Sequence, residues 1–216
     1  MQAYVSLWSA DLMAVGEAVD SVDEVVDGYH IDVFDGHNVS ELLFGPDFVA
    51  ALRRRTGKLI DVHLNVTDPD GWAGRFIAVG ADMITVQTGP SPDITETLRA
   101  IRGQGARPSL GLEVHEPTRH AATLFDEIDR VLLMGTAIGI KGVGLDAAAP
   151  TRIRELAEQR RAAGRSPKDL GIFVDGGIRD HTVSLLAAAG ADGVIPGSLV
   201  FGVPDPHAAV EQLQRL

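Results

Sequence analysis

The sequence predicts an α/β protein whose 216 residues form a single (β/α)8 TIM barrel. Short β-like runs alternate with helical stretches from end to end, which is the pattern of a parallel sheet covered by helices. Eight such β-α pairs can be counted, and eight pairs favour a closed barrel over the alternative, an open sheet. The length suits one α/β barrel with a sizeable buried core.

The eight predicted strands are apolar runs at residues 4–7, 29–34, 59–64, 83–87, 108–112, 130–134, 171–174 and 193–195. Apolar residues spaced three and four apart predict helices between them, for example at residues 11–26, 46–55 and 151–163. Gly80 and Gly190 stand in two similar Gly-Ala-Asp fragments, and each is predicted to end a helix in the left-handed conformation. No linker-like or low-complexity tract divides the chain, so residues 1–216 are predicted to form one domain.

Composition restricts the partners and the compartment. The formal charge of −11 argues against nucleic acid or an anionic membrane as the main partner, because both select basic surfaces. The absence of cysteine excludes disulfides and thiolate ligands and suits a reducing compartment. The first residues show no basic segment followed by an apolar core, and no apolar run reaches membrane-spanning length. We therefore expect a cytoplasmic protein.

Polar residues at the ends of three predicted strands indicate a metal site. Strand side chains alternate, so His30 and Asp32 share one face of their strand. Burying a histidine and a carboxylate on an apolar strand is costly unless they are paired. His63 and Asp175 end two other runs and offer that pairing. If the three strands are neighbours in one sheet, these four residues converge on one divalent cation.

The donor set limits the metal without choosing it. Two histidines and two carboxylates, with no thiolate, suit Zn, Mn, Fe(II) or Co. The alternative is that each of the four residues is separately a hydrogen-bonded or surface group. Four such residues at strand ends of one barrel favour the metal site, because active sites of this fold lie at the carboxyl ends of the strands. Asp61, two residues before His63, is expected to be a hydrogen-bonded structural carboxylate.

Five motifs carry a resemblance to a known family. They are SLWSAD at residues 6–11, HIDVFDGH at 30–37, DVHL at 61–64, VDGG at 174–177 and GSLVFG at 197–202. In this order, over nearly the whole chain, they resemble the successive motifs of the ribulose-phosphate 3-epimerase family, whose fold is a ribulose-phosphate-binding barrel. VDGG and GS are weak signals by themselves, whereas HxD, DxH and VDGG together are specific.

The resemblance implies an isomerase that epimerises D-ribulose 5-phosphate to D-xylulose 5-phosphate with one bound divalent metal ion. It implies metal ligation by His30, Asp32, His63 and Asp175. Asp32 and Asp175 match the family's catalytic pair, and epimerisation needs two acid/base groups on opposite sides of a flat enediolate. A small phosphorylated ketose is the expected partner, and the resemblance implies a homo-oligomer.

The resemblance also implies substrate contacts. Residues that match family positions near the substrate or its phosphate are Ser6, Gly139, Gly142, Gly176, Gly177, Gly197 and Ser198. The glycines have a plainer interpretation as turn residues.

The chain departs from the family pattern around the substrate. The family's Asn-Pro-Gly-Phe-Gly-Gly-Gln loop reads AIGIKGV at residues 137–143, where Lys141 is expected either to bind the phosphate or to point to solvent. Phe34 and Asn65 replace two methionines that cap the family's site, Met134 remains, and Gln87 replaces a histidine. These four positions, Phe34, Asn65, Met134 and Lys141, are therefore candidate specificity residues.

Three alternatives to the family reaction follow. The chain could epimerise another ketose phosphate, such as a tetrulose 4-phosphate or allulose 6-phosphate. It could be a non-catalytic sugar-phosphate binder, although a binder has no need for two carboxylates at a metal. A related lyase or decarboxylase is disfavoured, because those barrels carry an Asp-x-Lys-x-x-Asp array that this sequence lacks. Trp8 and Trp72 are expected to be packing residues.

Overall fold

The computed structural model describes all residues, Met1–Leu216. The strands are β1 Gln2–Ser6, β2 Gly28–Asp35, β3 Leu42–Leu43, β4 Leu59–Asn65, β5 Met83–Gln87, β6 Arg107–Leu112, β7 Arg130–Met134, β8 Gly171–Asp175 and β9 Gly193–Ile195. The helices are α1 Val15–Asp20, α2 Pro46–Arg53, α3 Pro69–Ala78, α4 Ile94–Gly103, α5 Arg119–Ala122, α6 Ala149–Ala162, α7 Asp180–Ala189, α8 Ser198–Phe201 and α9 Pro206–Gln214. Residues Leu7–Ser9 form a 3-10 turn.

The sheet closes on itself as a barrel. Eight parallel strands follow one another in the order β1-β9-β8-β7-β6-β5-β4-β2, and β1 pairs with β2 to complete the circle. The two-residue strand β3 lies outside the circle and pairs antiparallel with the end of β2. The prediction of a closed barrel is confirmed, and its eight strands are the eight predicted runs to within a few residues.

The first predicted helix is wrong in length. The prediction covered residues 11–26, but α1 spans Val15–Asp20 alone, and turns fill the rest. Local side-chain hydrogen bonds compete with the helix at both ends. Asp11 Oδ1 accepts from the Met13 amide at 2.9 Å, and Ser21 Oγ donates to the Ala18 carbonyl at 2.8 Å.

The two Gly-Ala-Asp fragments have the same structural role. Gly80 and Gly190 follow α3 and α7 with φ of +106° and +102°, as predicted for residues that end a helix. The aspartates after them fasten neighbouring strands: Asp82 Oδ2 accepts from the Ile60 amide at 2.8 Å, and Asp192 Oδ2 accepts from the Ile172 amide at 2.7 Å.

The hydrophobic core lies mostly between the barrel and its helices, as one continuous cluster of 44 buried residues. A second cluster fills one side of the barrel interior and consists of Tyr4, Leu132, Met134, Phe173 and Ile195. The other side of the interior is polar, and its buried side chains are His30, Asp32, Asp61, His63, Thr85, Gln87 and Ser109. No helix is long and apolar enough to cross a bilayer.

Candidate active site

Strand register brings the four predicted metal ligands together. His30 and Asp32 lie on β2, His63 lies on β4, and Asp32 is directly paired with His63 in the parallel ladder. Asp175 ends β8 and reaches the same point from across the barrel. One ligand atom from each residue lies within 4.8 Å of the others. The four residues converge as expected, but the three strands are not all neighbours: β9 and β1 lie between β8 and β2, and closure of the barrel brings Asp175 to the site.

Two ring nitrogens at this point have no protein partner. His30 Nε2 lies 3.4 Å from Asp32 Oδ1 and 3.8 Å from Asp175 Oδ2, and His63 Nδ1 lies 3.5 Å from Asp32 Oδ1. Both nitrogens are buried and make no hydrogen bond. Buried polar atoms are rarely left unsatisfied, so an unpaired nitrogen on each of two histidines, facing two carboxylates, fits a cation site.

A second layer of polar groups holds His30 from below. Asp61 Oδ2 lies 2.6 Å from His30 Nδ1, and Thr85 Oγ1 donates to Asp61 Oδ1 at 2.9 Å. Arg130, at the amino end of β7, forms an ion pair with Asp61 inside the barrel. Its guanidinium lies 5.0 Å from the ring centroid of Phe173. The expected structural role of Asp61 is supported by these contacts.

The electrostatics of the two site carboxylates differ. Burial and the nearby negative charge of Asp32 raise the pKa of Asp175. Burial also acts to raise the pKa of Asp32, but His30 and His63 lower it by more, so its pKa falls well below the usual range. Burial acts to lower the pKa of His30, but the charges of Asp32 and Asp61 outweigh burial and raise that pKa to about 10. Without a metal ion, Asp175 therefore holds its proton to a higher pH than Asp32.

Above the carboxylates lies a cavity of about 220 Å³ at the carboxyl ends of the strands. Its lining includes twelve of the predicted site residues: Ser6, Asp32, Phe34, Met134, Gly139, Lys141, Gly142, Asp175, Gly176, Gly177, Gly197 and Ser198. His30 and His63 lie beneath its floor. Asn65 is also absent from the lining; it is fully buried, and its Nδ2 donates to the His63 carbonyl at 3.4 Å.

Lys141 is turned toward the cavity mouth. Its Nζ donates to the Trp8 carbonyl at 2.7 Å and lies 4.1 Å from the centre of the Trp8 ring. Trp8 also packs edge-on against Phe34, with ring centroids 5.0 Å apart. Trp8 therefore packs within the protein and also lines the cavity. Trp8 and Phe34 form an aromatic wall at the cavity mouth, beside the ammonium group of Lys141.

The glycine pair after β8 is required by its surroundings. Gly177 has a φ of +70°, and a Cβ there would lie 2.6 Å from Leu145 Cα. Only glycine combines this conformation with such close backbone contact. The arrangement packs the 176–177 turn against the loop after β7, so both loops face the same end of the cavity.

Sequence reasoning missed Arg179 and the contact that Gln87 makes with His63. Arg179, directly after the glycine turn, lines the cavity, and no spacing signal distinguished it. Gln87 is buried, and its amide nitrogen lies 2.6 Å from His63 Nε2. The departure from the family pattern at position 87 was visible in the sequence, but the contact depends on the side chain crossing from β5 to β4.

Comparisons with known proteins identify the family. The profile of the ribulose-phosphate 3 epimerase family matches residues 2–201. The ribulose-phosphate 3-epimerase of Bacillus subtilis is 35% identical over 210 residues, which are 97% of this chain and 96% of that protein. The Escherichia coli protein of the same name is 32% identical over 211 residues, 97% and 92% of the two chains.

Solved structures support the fold alone. KGPDC from Streptococcus mutans superposes with a TM-score of 0.73 at 20% identity, covering 99% of this chain and 95% of that one. Orotidine 5'-phosphate decarboxylase from Pyrococcus horikoshii gives 0.70 at 16% identity, covering 98% and 97%. The sequence relatives go further than the fold and confirm the expected isomerase class: this chain belongs to the ribulose-phosphate 3-epimerase family.

Proposed function

We propose that the protein is a metal-dependent ketose-phosphate 3-epimerase that converts D-ribulose 5-phosphate to D-xylulose 5-phosphate. One observation carries the proposal. Asp32 and Asp175 both line the cavity and both face the unpaired nitrogen of His30, at 3.4 and 3.8 Å. Two carboxylates around one cation position are what a two-base proton transfer next to a carbonyl needs.

The proposed reaction moves one proton off carbon 3 and another back onto the opposite face. One carboxylate takes the proton, and the C–H electron pair moves into the enediolate. The other carboxylic acid then donates its proton to carbon 3 and the carbonyl is restored. In the metal-free protein the pKa of Asp32 is lowered and that of Asp175 is raised, so Asp32 suits the base and Asp175 the acid. Ser6 Oγ donates to Asp32 Oδ2 at 3.1 Å and holds that carboxylate in place.

The four ligands His30, Asp32, His63 and Asp175 would hold the cation, which would supply a positive charge beside the developing oxyanion and lower the pKa of both carboxyl groups. A donor set of two nitrogens and two oxygens is compatible with Zn, Mn, Fe(II) or Co and does not choose among them.

The phosphate of the substrate is proposed to lie at the glycine-rich end of the cavity. The residues proposed to contact it are Gly139, Gly142, Gly176, Gly177, Gly197 and Ser198. Main-chain amides can approach an anion closely where no Cβ intervenes. Lys141 adds the positive charge that an anionic substrate needs near a protein of net charge −11. Phe34 and Met134 would contact the sugar carbons. Asn65 is buried outside the cavity and would affect substrate specificity indirectly, through its hydrogen bond to the His63 carbonyl.

The test replaces each carboxylate by its amide. We expect Asp32→Asn and Asp175→Asn each to lose epimerase activity by at least ~100-fold, the lower range for one acid/base group, while each variant still folds cooperatively. Asp35→Asn is the matched control, because Asp35 lies on the opposite face of β2 and its Oδ2 accepts from the Thr67 amide at 2.7 Å. Full activity in either site variant would contradict the two-carboxylate mechanism.

A further inference from the structure

The two candidate histidine ligands are held by different kinds of group. A neutral imidazole has one nitrogen that carries a proton and one that does not, and a metal ligand must be the unprotonated nitrogen. For His30 the choice is fixed, because the carboxylate of Asp61, 2.6 Å from Nδ1, can only accept a hydrogen bond from an N–H. When a cation binds and His30 loses its second proton, Nε2 is therefore the nitrogen without a proton, and it faces Asp32 and Asp175.

For His63 the corresponding partner is an amide, which can either donate or accept. The Gln87 side-chain nitrogen lies 2.6 Å from His63 Nε2, while the Gln87 oxygen is buried without any hydrogen-bond partner. The two ends of an amide have nearly the same shape, so hydrogen bonding decides which end faces the ring. With the nitrogen toward the ring, Nε2 must accept, and the proton is placed on Nδ1, the atom that faces the metal position.

We propose that Gln87 is a positioning residue that sets the tautomer of His63, and this inference rests on the proposed metal site. When a cation occupies the site, the amide of Gln87 turns by half a rotation, and its oxygen accepts from Nε2–H. His63 Nδ1 then carries no proton and binds the cation. Gln87 is only 1% exposed, so water cannot replace it as the partner of Nε2.

A glycine on the next strand makes room for this contact. Gly111 is directly paired with Gln87 across the β5–β6 ladder. A Cβ at position 111 would lie 2.2 Å from Gln87 Nε2 and 2.6 Å from its Cδ. The Gln87 side chain therefore crosses the space above Gly111 on its way to His63. This contact offers a second way to disturb the amide without altering Gln87 itself.

The first experiment measures the dissociation constant of Zn²⁺ by competition with a chromophoric chelator. We expect Gln87→Leu and Gly111→Ala each to weaken Zn²⁺ binding by about 10- to 100-fold, the usual cost of losing an outer-shell partner. Gln87→Glu, which can only accept, should bind at least as tightly as the wild type. Gln159→Leu is the matched control. Gln159 is half-buried on helix α6, away from the cavity, and its Nε2 donates to Thr118 Oγ1 at 3.1 Å.

The inference would be overturned if Gln87→Leu bound Zn²⁺ as tightly as the wild type, or if Gln87→Glu bound it more weakly than the wild type. The unfolding midpoints of the stripped proteins show whether each variant is folded, and Gln87→Glu tests the contact even if Gln87→Leu is damaged.

A second readout is the tautomer itself, obtained from two-bond ¹⁵N–¹H correlation spectra of the Zn²⁺-loaded protein. We expect a protonated Nε2 and a metal-bound Nδ1 on His63. A protonated Nδ1 in the loaded wild type would contradict the proposal. Neither readout uses substrate, so weakened Zn²⁺ binding in Gln87→Leu supports this inference even in a protein that fails to epimerise any ketose phosphate.

Discussion

Replacing Arg130 by methionine should strongly destabilise the barrel. Arg130 is buried, pairs with buried Asp61, and donates to Thr85 Oγ1 at 3.1 Å and Ser109 Oγ at 3.2 Å. Methionine replaces the apolar stem of the arginine but not its guanidinium, so the buried carboxylate of Asp61 loses its cation, and Thr85 and Ser109 lose a donor. Removing one partner of a buried ion pair costs about 3–5 kcal/mol. For a chain of this size that corresponds to a fall of ~6–20 °C in melting temperature.

The pH dependence of this loss identifies its cause. Burial raises the pKa of Asp61, but Arg130 and His30 lower it by more, so the net pKa lies below the usual range. A lowered pKa contributes stability above the unfolded-state pKa of about 4, and that contribution is lost as the pH falls further. Without Arg130 the carboxylate binds a proton more readily. The difference between variant and wild type should therefore shrink as the pH falls from ~6 to ~3.

Urea unfolding of metal-stripped protein at several pH values is the assay. Arg107→Met is the control, because Arg107 forms a half-exposed ion pair with Asp129 at 3.3 Å, worth ~0–1 kcal/mol. A loss below 1 kcal/mol in Arg130→Met, or a loss that grows as the pH falls, would refute the reasoning.

Three further predictions concern the cavity. Because the pKa of His30 is raised to about 10, metal binding should release its proton, and metal affinity should fall ~tenfold per pH unit below that value, more steeply where Asp175 is protonated too. Calorimetry in buffers of different ionisation enthalpy counts the released protons. A metal affinity that does not change with pH would contradict this prediction. Lys141→Met should raise KM for a phosphorylated ketose about 10-fold without affecting an unphosphorylated one; steady-state kinetics on both distinguishes phosphate binding from a general effect. Gly177→Ala should cost ~1–3 kcal/mol, because it forces a side chain into the left-handed region against Leu145; an unchanged urea midpoint would show that the turn relaxes freely.

The sequence was sufficient for the barrel and for the ligand cluster. The alternation of strands and helices along the chain determines the strand order of a closed barrel. Because side chains alternate along a strand, His30 and Asp32 both point into the barrel. His63 and Asp175 needed only the further assumption that strand ends meet at one face. These predictions depend on spacing within single segments.

Contacts between distant segments could not be predicted in the same way. The Arg130–Asp61 pair joins strands that are 69 residues apart and depends on how deep each residue sits in the barrel. The Gln87–His63 contact depends on one side-chain path over Gly111, and the Lys141–Trp8 contact depends on loop conformation. Helix α1 is shorter than its apolar spacing predicts, because side chains of Asp11 and Ser21 compete for backbone groups.

The central claim is most directly tested by proton NMR of the metal-loaded protein in deuterium oxide, with a panel of four-, five- and six-carbon ketose phosphates. We predict that the carbon 3 proton of D-ribulose 5-phosphate is replaced by deuterium while D-xylulose 5-phosphate appears. The same result with a tetrulose 4-phosphate or allulose 6-phosphate instead would move the assignment to that substrate. Retention of the carbon 3 proton by every member of the panel would contradict the proposed epimerase reaction.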